Sequence, residues 1–271
     1  MLKKSILAAV LIATFSHISV AFADGREDAA KALLQPVYPL WLAQAGLWQP
    51  DPAALQPQLD MAIRGLAKVL PANCDEARMK QDICGIKPVR VPSSSMAPTV
   101  DAQEMIGLQT LDYKPLQRGD VVSHTARFYG GEPTLAISRL IALPGETVEI
   151  RDGTILVNNV ALLRKDVGDV IQHDFGPLKK YTETTPEGRS YSIAIASDQS
   201  ESIVNNFGPV TLPDNKYFVL GDNRSNSVDS RYPEQFNDDG LVSQESIQGV
   251  AMVIFVSKQR ERIGLPLRPS T

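Results

Sequence analysis

The chain has 271 residues, 43% hydrophobic and 21% charged, which is ordinary usage for a folded protein and excludes both wholesale disorder and a bundle of membrane-spanning helices. A formal net charge of −4 gives no positive field for phosphates, and the lysines and arginines are scattered, so nucleic acid is not an expected partner. The length suffices for a substantial core, in one large domain or a domain with an appendage.

At the N-terminus, Lys3 and Lys4 precede an apolar stretch from Ile6 to Val20 that ends in Ala21-Phe22-Ala23. This is the layout of a secretory signal, with Ala21 and Ala23 small enough for a cleavage site. Ser16, His17 and Ser19 interrupt the stretch, which is short for a full membrane crossing, so cleavage after Ala23 is the preferred reading. The alternative is an uncleaved anchor with the two lysines held on the cytoplasmic side. Either way the remainder is exported. In an oxidising compartment Cys74 and Cys84 are expected to form a structural disulfide rather than a metal or redox site.

Residues 24 to about 79 read as helical, with apolar residues at helical spacing over 29–34 and 59–70. Pro36, Pro39, Pro50, Pro52 and Pro57 are expected to divide this region into two or three short helices. Trp41 and Trp48 are expected to pack between them, a lipid-surface role being the alternative.

From Lys87 onward, short runs of Val, Ile, Leu and Thr alternate with Gly, Asp, Asn and Pro, the pattern of strands and tight turns. Asp152-Gly153 and Asn158-Asn159 flank the strand 154–157, and residues 250–257 form a final apolar strand.

Four segments in this β region carry candidate chemistry. Pro92-Ser93-Ser94-Ser95-Met96-Ala97-Pro98-Thr99 sets three hydroxyls between two prolines that stiffen the backbone. Gly119-Asp120-Val121-Val122 reads as a turn entering a strand, and residues 138–146 as a strand ending in a Pro-Gly turn. Residues 221–231, Gly-Asp-Asn-Arg-Ser-Asn-Ser-Val-Asp-Ser-Arg, are too polar for a buried strand unless every group finds a partner.

In this order the four segments resemble the sequence boxes of the type I signal peptidases, membrane-associated serine endopeptidases that cut signal peptides from exported proteins. The resemblance runs from about Pro92 to Ser257 and leaves the first 90 residues uncovered. It implies that Ser95 is the nucleophile and that Ser93 assists an oxyanion hole beside the Ser95 amide. It also implies that Ser227 orients the base, and that Asp229 and Arg231 form a buried structural pair, with Asp222 and Arg139 as further structural residues near the site. Pro92 and Met96 are expected at the substrate-binding surface.

The chain departs from the pattern at one position. The general base of the bacterial enzymes is a lysine directly before an arginine; here the arginine is Arg139 and the residue before it is Ser138. A serine hydroxyl needs a neighbour that takes its proton, and Ser138 cannot ionise to do so at neutral pH. His124 and His173 do not align with the position, Lys114 and Lys165 flank the strand, and Ala136 and Leu140, the same-face neighbours along it, offer no base. Three explanations stay open: His124 reaches Ser95 from the adjacent strand, an Asp acts through water, or hydrolysis is lost.

The resemblance further implies a mainly β fold of antiparallel coiled sheets with a short helical N-terminal region and a β insertion at about 160–215. It implies a cleft for extended peptides of exported preproteins, proximity to the inner membrane surface in the bacterial cell envelope, and no metal or organic cofactor. A processing protease is the first functional expectation. A pseudoprotease that binds peptides or a partner protein, and a structural envelope protein, are the alternatives.

Overall fold

Helical spacing at the N-terminal end produces three α-helices among the described residues. In the computed structural model, which describes residues 25–35, 52–110, 115–173, 176–197 and 205–269, α1 (Gly25–Leu34) buries Ala29, Ala30, Leu33 and Leu34. α2 (Pro52–Val69) buries Leu59, Ala62, Ile63, Leu66 and Ala67 along one stripe, and α3 (Glu76–Asp82) begins at an Asp75 cap that accepts a 2.8 Å bond from the Arg78 amide. The expected break at Pro57 does not occur. Pro52 occupies the first helical position, where its fixed φ suits the helix, and Pro57 sits early enough to forfeit only the bond to the Ala53 carbonyl. The expected signal segment, Trp41, Trp48, Pro36, Pro39 and Pro50 lie outside the described residues. Among the described residues no helix is long and apolar enough to cross a membrane.

The sulfurs of Cys74 and Cys84 are bonded, with their Cα atoms 5.4 Å apart, so the two ends of α3 are tied together just before the first strand.

The remaining chain runs through β1 (Ile86–Arg90), β2 (Met105–Gln109), β3 (Val121–Ala126), β4 (Thr134–Ala142), β5 (Thr147–Arg151), β6 (Thr154–Val157) and β7 (Val160–Ala161). It continues through β8 (Leu163–His173), β9 (Gly176–Thr184), β10 (Ser190–Ala196), β11 (Phe207–Thr211), β12 (Lys216–Leu220), β13 (Val242–Ser243) and β14 (Ile247–Val256). The fold is thus mainly antiparallel β. The largest sheet has the order β1-β2-β14-β3-β4-β12-β13, and smaller sheets are ordered β10-β9-β8 and β11-β5-β6-β7. The expected turns are present: Asp152 and Gly153 have φ of 49° and 74°, and Asn158 and Asn159 have 51° and 64°, so both central residues of each turn are left-handed, as a two-residue hairpin of this hand requires.

Apolar side chains of β3, β4, β12 and β14, among them Val122, Leu140, Val219, Val250 and Val253, merge with those of the helices in one core. A second core, with Ile141, Val148, Ile193 and Phe218, joins the large sheet to the smaller ones.

Between these cores lies a buried charge. Arg139 on β4 is fully buried, and its Nε donates to Asp222 Oδ1 at 2.6 Å while Nη2 bonds Oδ2 of the same carboxylate. Nη1 donates to the Gly119 carbonyl at 2.6 Å, Nη2 also reaches Thr99 Oγ1 at 3.2 Å, and the guanidinium lies 4.0 Å from the centre of the Tyr191 ring. One side chain therefore ties together residues 99, 119, 139 and 222, one from each of the four segments singled out in the sequence. A neighbouring cluster repeats the theme: Glu183 takes bonds from Arg224, Arg164 and the Tyr191 hydroxyl, and its carboxyl is held down at about 2, burial opposing and the Arg224 charge and hydrogen bonds prevailing.

Removing one partner from a desolvated pair leaves the other uncompensated. Arg139→Leu should lower unfolding stability by about 3–5 kcal/mol in urea titrations, and the double variant Arg139→Leu/Asp222→Leu should lose less than that single variant. A double-variant loss equal to the sum of the Arg139→Leu and Asp222→Leu losses would show that the two charges are not coupled.

Candidate active site

The loop between β1 and β2 presents the serines. It is closed at its base by Val91 donating to the Glu104 carbonyl at 2.8 Å and Gln103 donating to the Val91 carbonyl at 2.6 Å. Val91, Met96 and Val100 plug it into a third apolar cluster with Ile106, Val121 and Ile254. Met96, expected at the substrate-binding surface, is fully buried, so its side chain anchors the loop and does not line an open cleft; Pro92 is exposed at the loop's start.

The three hydroxyls have different surroundings. Ser94 is buried and its Oγ accepts a 2.9 Å bond from Asn226 Nδ2. Ser93 is exposed and Ser95 half-buried, with their Oγ atoms 3.1 Å apart. The Ser95 carbonyl accepts from the Asn223 amide at 2.9 Å, and the Ser94 carbonyl from Asn223 Nδ2 at 3.2 Å, so residues 221–231 fix the backbone of the serine loop. Among the described residues the Ser95 amide has no hydrogen-bond partner, which leaves it available as a donor.

Residues 221–231 are held from beneath. Arg231 grips Asp229 in two 2.8 Å bonds, both side chains are buried, and Asp229 Oδ2 also accepts from the Gly221 amide at 3.0 Å. Gly221 is a point of close approach. A Cβ placed there would lie 2.6 Å from the Ser95 carbonyl oxygen and closer still to Ser227 Oγ, so the serine loop and Ser227 meet over a residue that has no side chain.

β12 pairs with β4 in the register Val219 with Leu140 and Leu220 with Arg139. Continued one residue past the end of β12, this register sets Gly221 opposite Ser138. Directly opposed residues point to the same face, so the Ser138 side chain points toward the side where Ser227 and Ser95 crowd Gly221, while Arg139 points the other way.

Ser138 is 6% exposed, and its Oγ lies 3.1 Å from Nε2 of His124. Val122 pairs with Ser138 and His124 with Ala136 across β3 and β4, so the two side chains are diagonal neighbours on one face. The other ring nitrogen of His124, Nδ1, approaches the Thr125 carbonyl at 3.4 Å, and Phe236 packs edge-on to the ring with centroids 5.9 Å apart. A carbonyl only accepts, so the tautomer assigned from these two contacts carries the proton on Nδ1 and lets Nε2 accept from the Ser138 hydroxyl. His124 is fully buried, and desolvation pushes its pKa down to about 4, the Thr125 carbonyl opposing weakly.

The structure sets Ser93 beside Ser95 and closes Ser95 and Ser227 over Gly221, with Asp229–Arg231 and Arg139–Asp222 as supports, while the Ser138 hydroxyl meets His124. His124, weighed in the sequence as a direct partner of Ser95, bonds Ser138 instead. The supporting roles of Ser94, Asn223 and Asn226 were not read from the sequence, where only their polarity among apolar strands hinted at them. His173 and Lys114 offer no described side chain, and Lys165 lies on β8 in a smaller sheet. A cleft of about 810 Å³ lined by Thr99, Arg139, Tyr191, Ile254 and Arg262 opens on the Arg139 side of the sheet and does not include Ser93, Ser95, Ser138 or Ser227.

A half-exposed hydroxyl beside a second hydroxyl and an amide with no partner among the described residues is the equipment of a serine hydrolase. A family model described as signal peptidase, peptidase S26, matches residues 82–256, and the chain belongs to that family. Signal peptidase I T of Bacillus subtilis is 32% identical over 173 residues, 62% of this chain and 73% of the relative. Signal peptidase I of Rickettsia typhi is 32% identical over 198 residues, 64% and 72% of the two chains. A solved signal peptidase I from Enterococcus faecalis V583 is 29% identical, covering 51% of this chain and 98% of that one with a TM-score of 0.30, an overlap in shape too small to bear on the fold. Family and relatives make the protein a serine endopeptidase. Helices α1 and α2 precede the matched residues.

Two measurements check this geometry. The folded chain keeps His124 neutral down to about pH 4, whereas the unfolded chain protonates it near 6.5, so stability is lost as pH falls between those values. Wild type should lose roughly 3 kcal/mol more than His124→Phe between pH 6.5 and 4 in denaturant titrations; parallel curves would mean that the ring is not desolvated. Gly221→Ala should cut peptidase activity more than tenfold, because a methyl group forces Ser95 and Ser227 apart, and unchanged turnover would contradict the close approach.

Proposed function

We propose that the protein is a signal peptidase that cleaves exported preproteins on the outer side of a bacterial inner membrane, with Ser95 as nucleophile. The observation that carries this reading is the Ser95 hydroxyl, half-exposed, 3.1 Å from Ser93 Oγ and backed by an unbonded Ser95 amide. Attack on a peptide carbonyl develops negative charge on its oxygen, and the Ser95 amide with the Ser93 hydroxyl are donors fixed in advance to receive it. Ser227, whose hydroxyl has no partner among the described residues, is the orienting hydroxyl for proton transfer. Asp229–Arg231 and Arg139–Asp222 hold the strand ends on which the site is built.

The substrate is an extended peptide with small residues before the cut. In support, β1 is an edge strand of the large sheet among the described residues and runs directly into the serine loop, so a peptide added as a further strand on that edge is led toward Ser95. Export is supported by the basic-apolar-small pattern of residues 1–23 and by the Cys74–Cys84 bond, which is stable outside the reducing cytoplasm. Residues 1–23 act as a signal peptide or an anchor, 24–86 as a helical region, and 87–271 as the peptidase domain with its β insertion at about 160–215.

The test incubates the full chain in detergent with a preprotein carrying alanines before its cleavage point. Wild type should release the mature protein, and Ser95→Ala should reduce the rate at least a thousandfold with unchanged thermal unfolding. Binding of the preprotein without any cleavage would favour the pseudoprotease, a reading that the serine at position 138 motivates.

A further inference from the structure

The buried imidazole of His124 has no role in the reading above, and it bonds the one side chain that departs from the family pattern. We infer that His124, acting through the Ser138 hydroxyl, is the proton acceptor for Ser95, so that a Ser–Ser–His relay replaces the missing lysine. This inference rests on Ser95 being the nucleophile.

The geometry supplies three of the needed elements. The β12–β4 register, continued one residue past the Leu220–Arg139 pair, sets Gly221 opposite Ser138, and opposed residues share a face, so Ser138 is directed to the side on which Ser95 and Ser227 close over Gly221. The Ser138 hydroxyl has one bond among the described residues, to Nε2 of His124 at 3.1 Å, which orients its proton toward the ring and its lone pairs away from it. The tautomer assigned from the Thr125 carbonyl contact carries the His124 proton on Nδ1 and leaves Nε2 as the acceptor. The lowered proton affinity of the ring keeps it uncharged at neutral pH, and no charged side chain contributes to that shift. If Ser93 donates in its bond to Ser95, the Ser95 proton is free to turn toward Ser138; in a substrate-free site such bonds are commonly loose and tighten with substrate bound.

The steps balance. Ser95 Oγ bonds the substrate carbonyl carbon as its proton passes to Ser138 Oγ, whose own proton passes to His124 Nε2. The C–N bond then breaks, and the proton returns from Nε2 through Ser138 to the departing amine nitrogen. Water attacks the Ser95 ester, losing a proton along the same route, and the acid leaves with the Ser95 hydroxyl restored. His124 is thus a positioning and proton-holding residue that does not touch substrate.

The experiment measures kcat and KM for preprotein cleavage by the full chain, with thermal unfolding as the check of folding. Ser138→Ala and His124→Gln should each lower kcat by roughly 10²- to 10⁴-fold with KM changed less than about threefold. Ser138→Lys combined with His124→Gln should recover at least tenfold over His124→Gln alone, since an amine at 138 needs no imidazole behind it; a packing role for His124 gives no such recovery. Unchanged kcat in Ser138→Ala overturns the relay, and so does a slow Ser138→Ala beside an unimpaired His124→Gln, while both results leave Ser95 as nucleophile. Where His124→Gln does not fold, Ser138→Ala, which keeps the ring, decides alone. Wild type that cleaves nothing, or cleaves equally well as Ser95→Ala, overturns the nucleophile and the relay together.

Discussion

Arg139 and Asp222 face each other with no solvent exposure, and the site depends on this pair. Two buried opposite charges attract strongly in a medium that screens little, yet taking them out of water costs several kcal/mol each, so the pair is tolerated only when further bonds satisfy the rest of the guanidinium. Gly119, Thr99 and the face of Tyr191 do this. The consequence is geometric. Breaking the pair strands a charge, so residues 99, 119, 139 and 222 have one acceptable relative placement, and the serine loop and residues 221–231 are brought to register by it.

From that placement the chemistry follows by alternation along β4. Successive side chains point to opposite faces, so a strand that aims Arg139 at the polar pin must aim Ser138 the other way, toward Gly221, Ser227 and the serine loop. The Asp229–Arg231 pair and the bonds from Asn223 and Asn226 then hold Ser94 and the Ser95 carbonyl while leaving the Ser95 hydroxyl to meet only Ser93 Oγ and the Ser95 amide without a partner among the described residues. Ser94 is consumed by structure and Ser95 is not, which separates two adjacent serines of the same chemistry.

Much of the fold was legible because its signals are local. The left-handed pairs Asp152-Gly153 and Asn158-Asn159, the apolar spacing of Leu59–Leu70 and the run ending β14 each report on a few neighbouring residues. Pro57 misled because a proline's effect depends on its distance from the helix start, which the sequence does not mark. The serines and the Asp229–Arg231 pair were legible through resemblance to a family, whereas the pairing of Arg139 with Asp222 was not read from the sequence. The partner of Ser138 was not: looking along the strand finds Ala136 and Leu140, whereas His124 is a diagonal neighbour on β3, and one residue of slippage would turn it to the other face. Only the register identifies it. Met96 shows the converse, a residue beside the nucleophile whose side chain turns inward to hold the loop.

The central claim is that one hydroxyl, that of Ser95, bonds covalently to substrate. It is tested most directly by mixing the full chain with preprotein, quenching in acid within one turnover, and mapping the protein by peptide mass spectrometry. The account predicts the N-terminal cleavage fragment attached as an ester at Ser95. Attachment at another residue, or substrate that is cut with no adduct under conditions that should accumulate it, would contradict it.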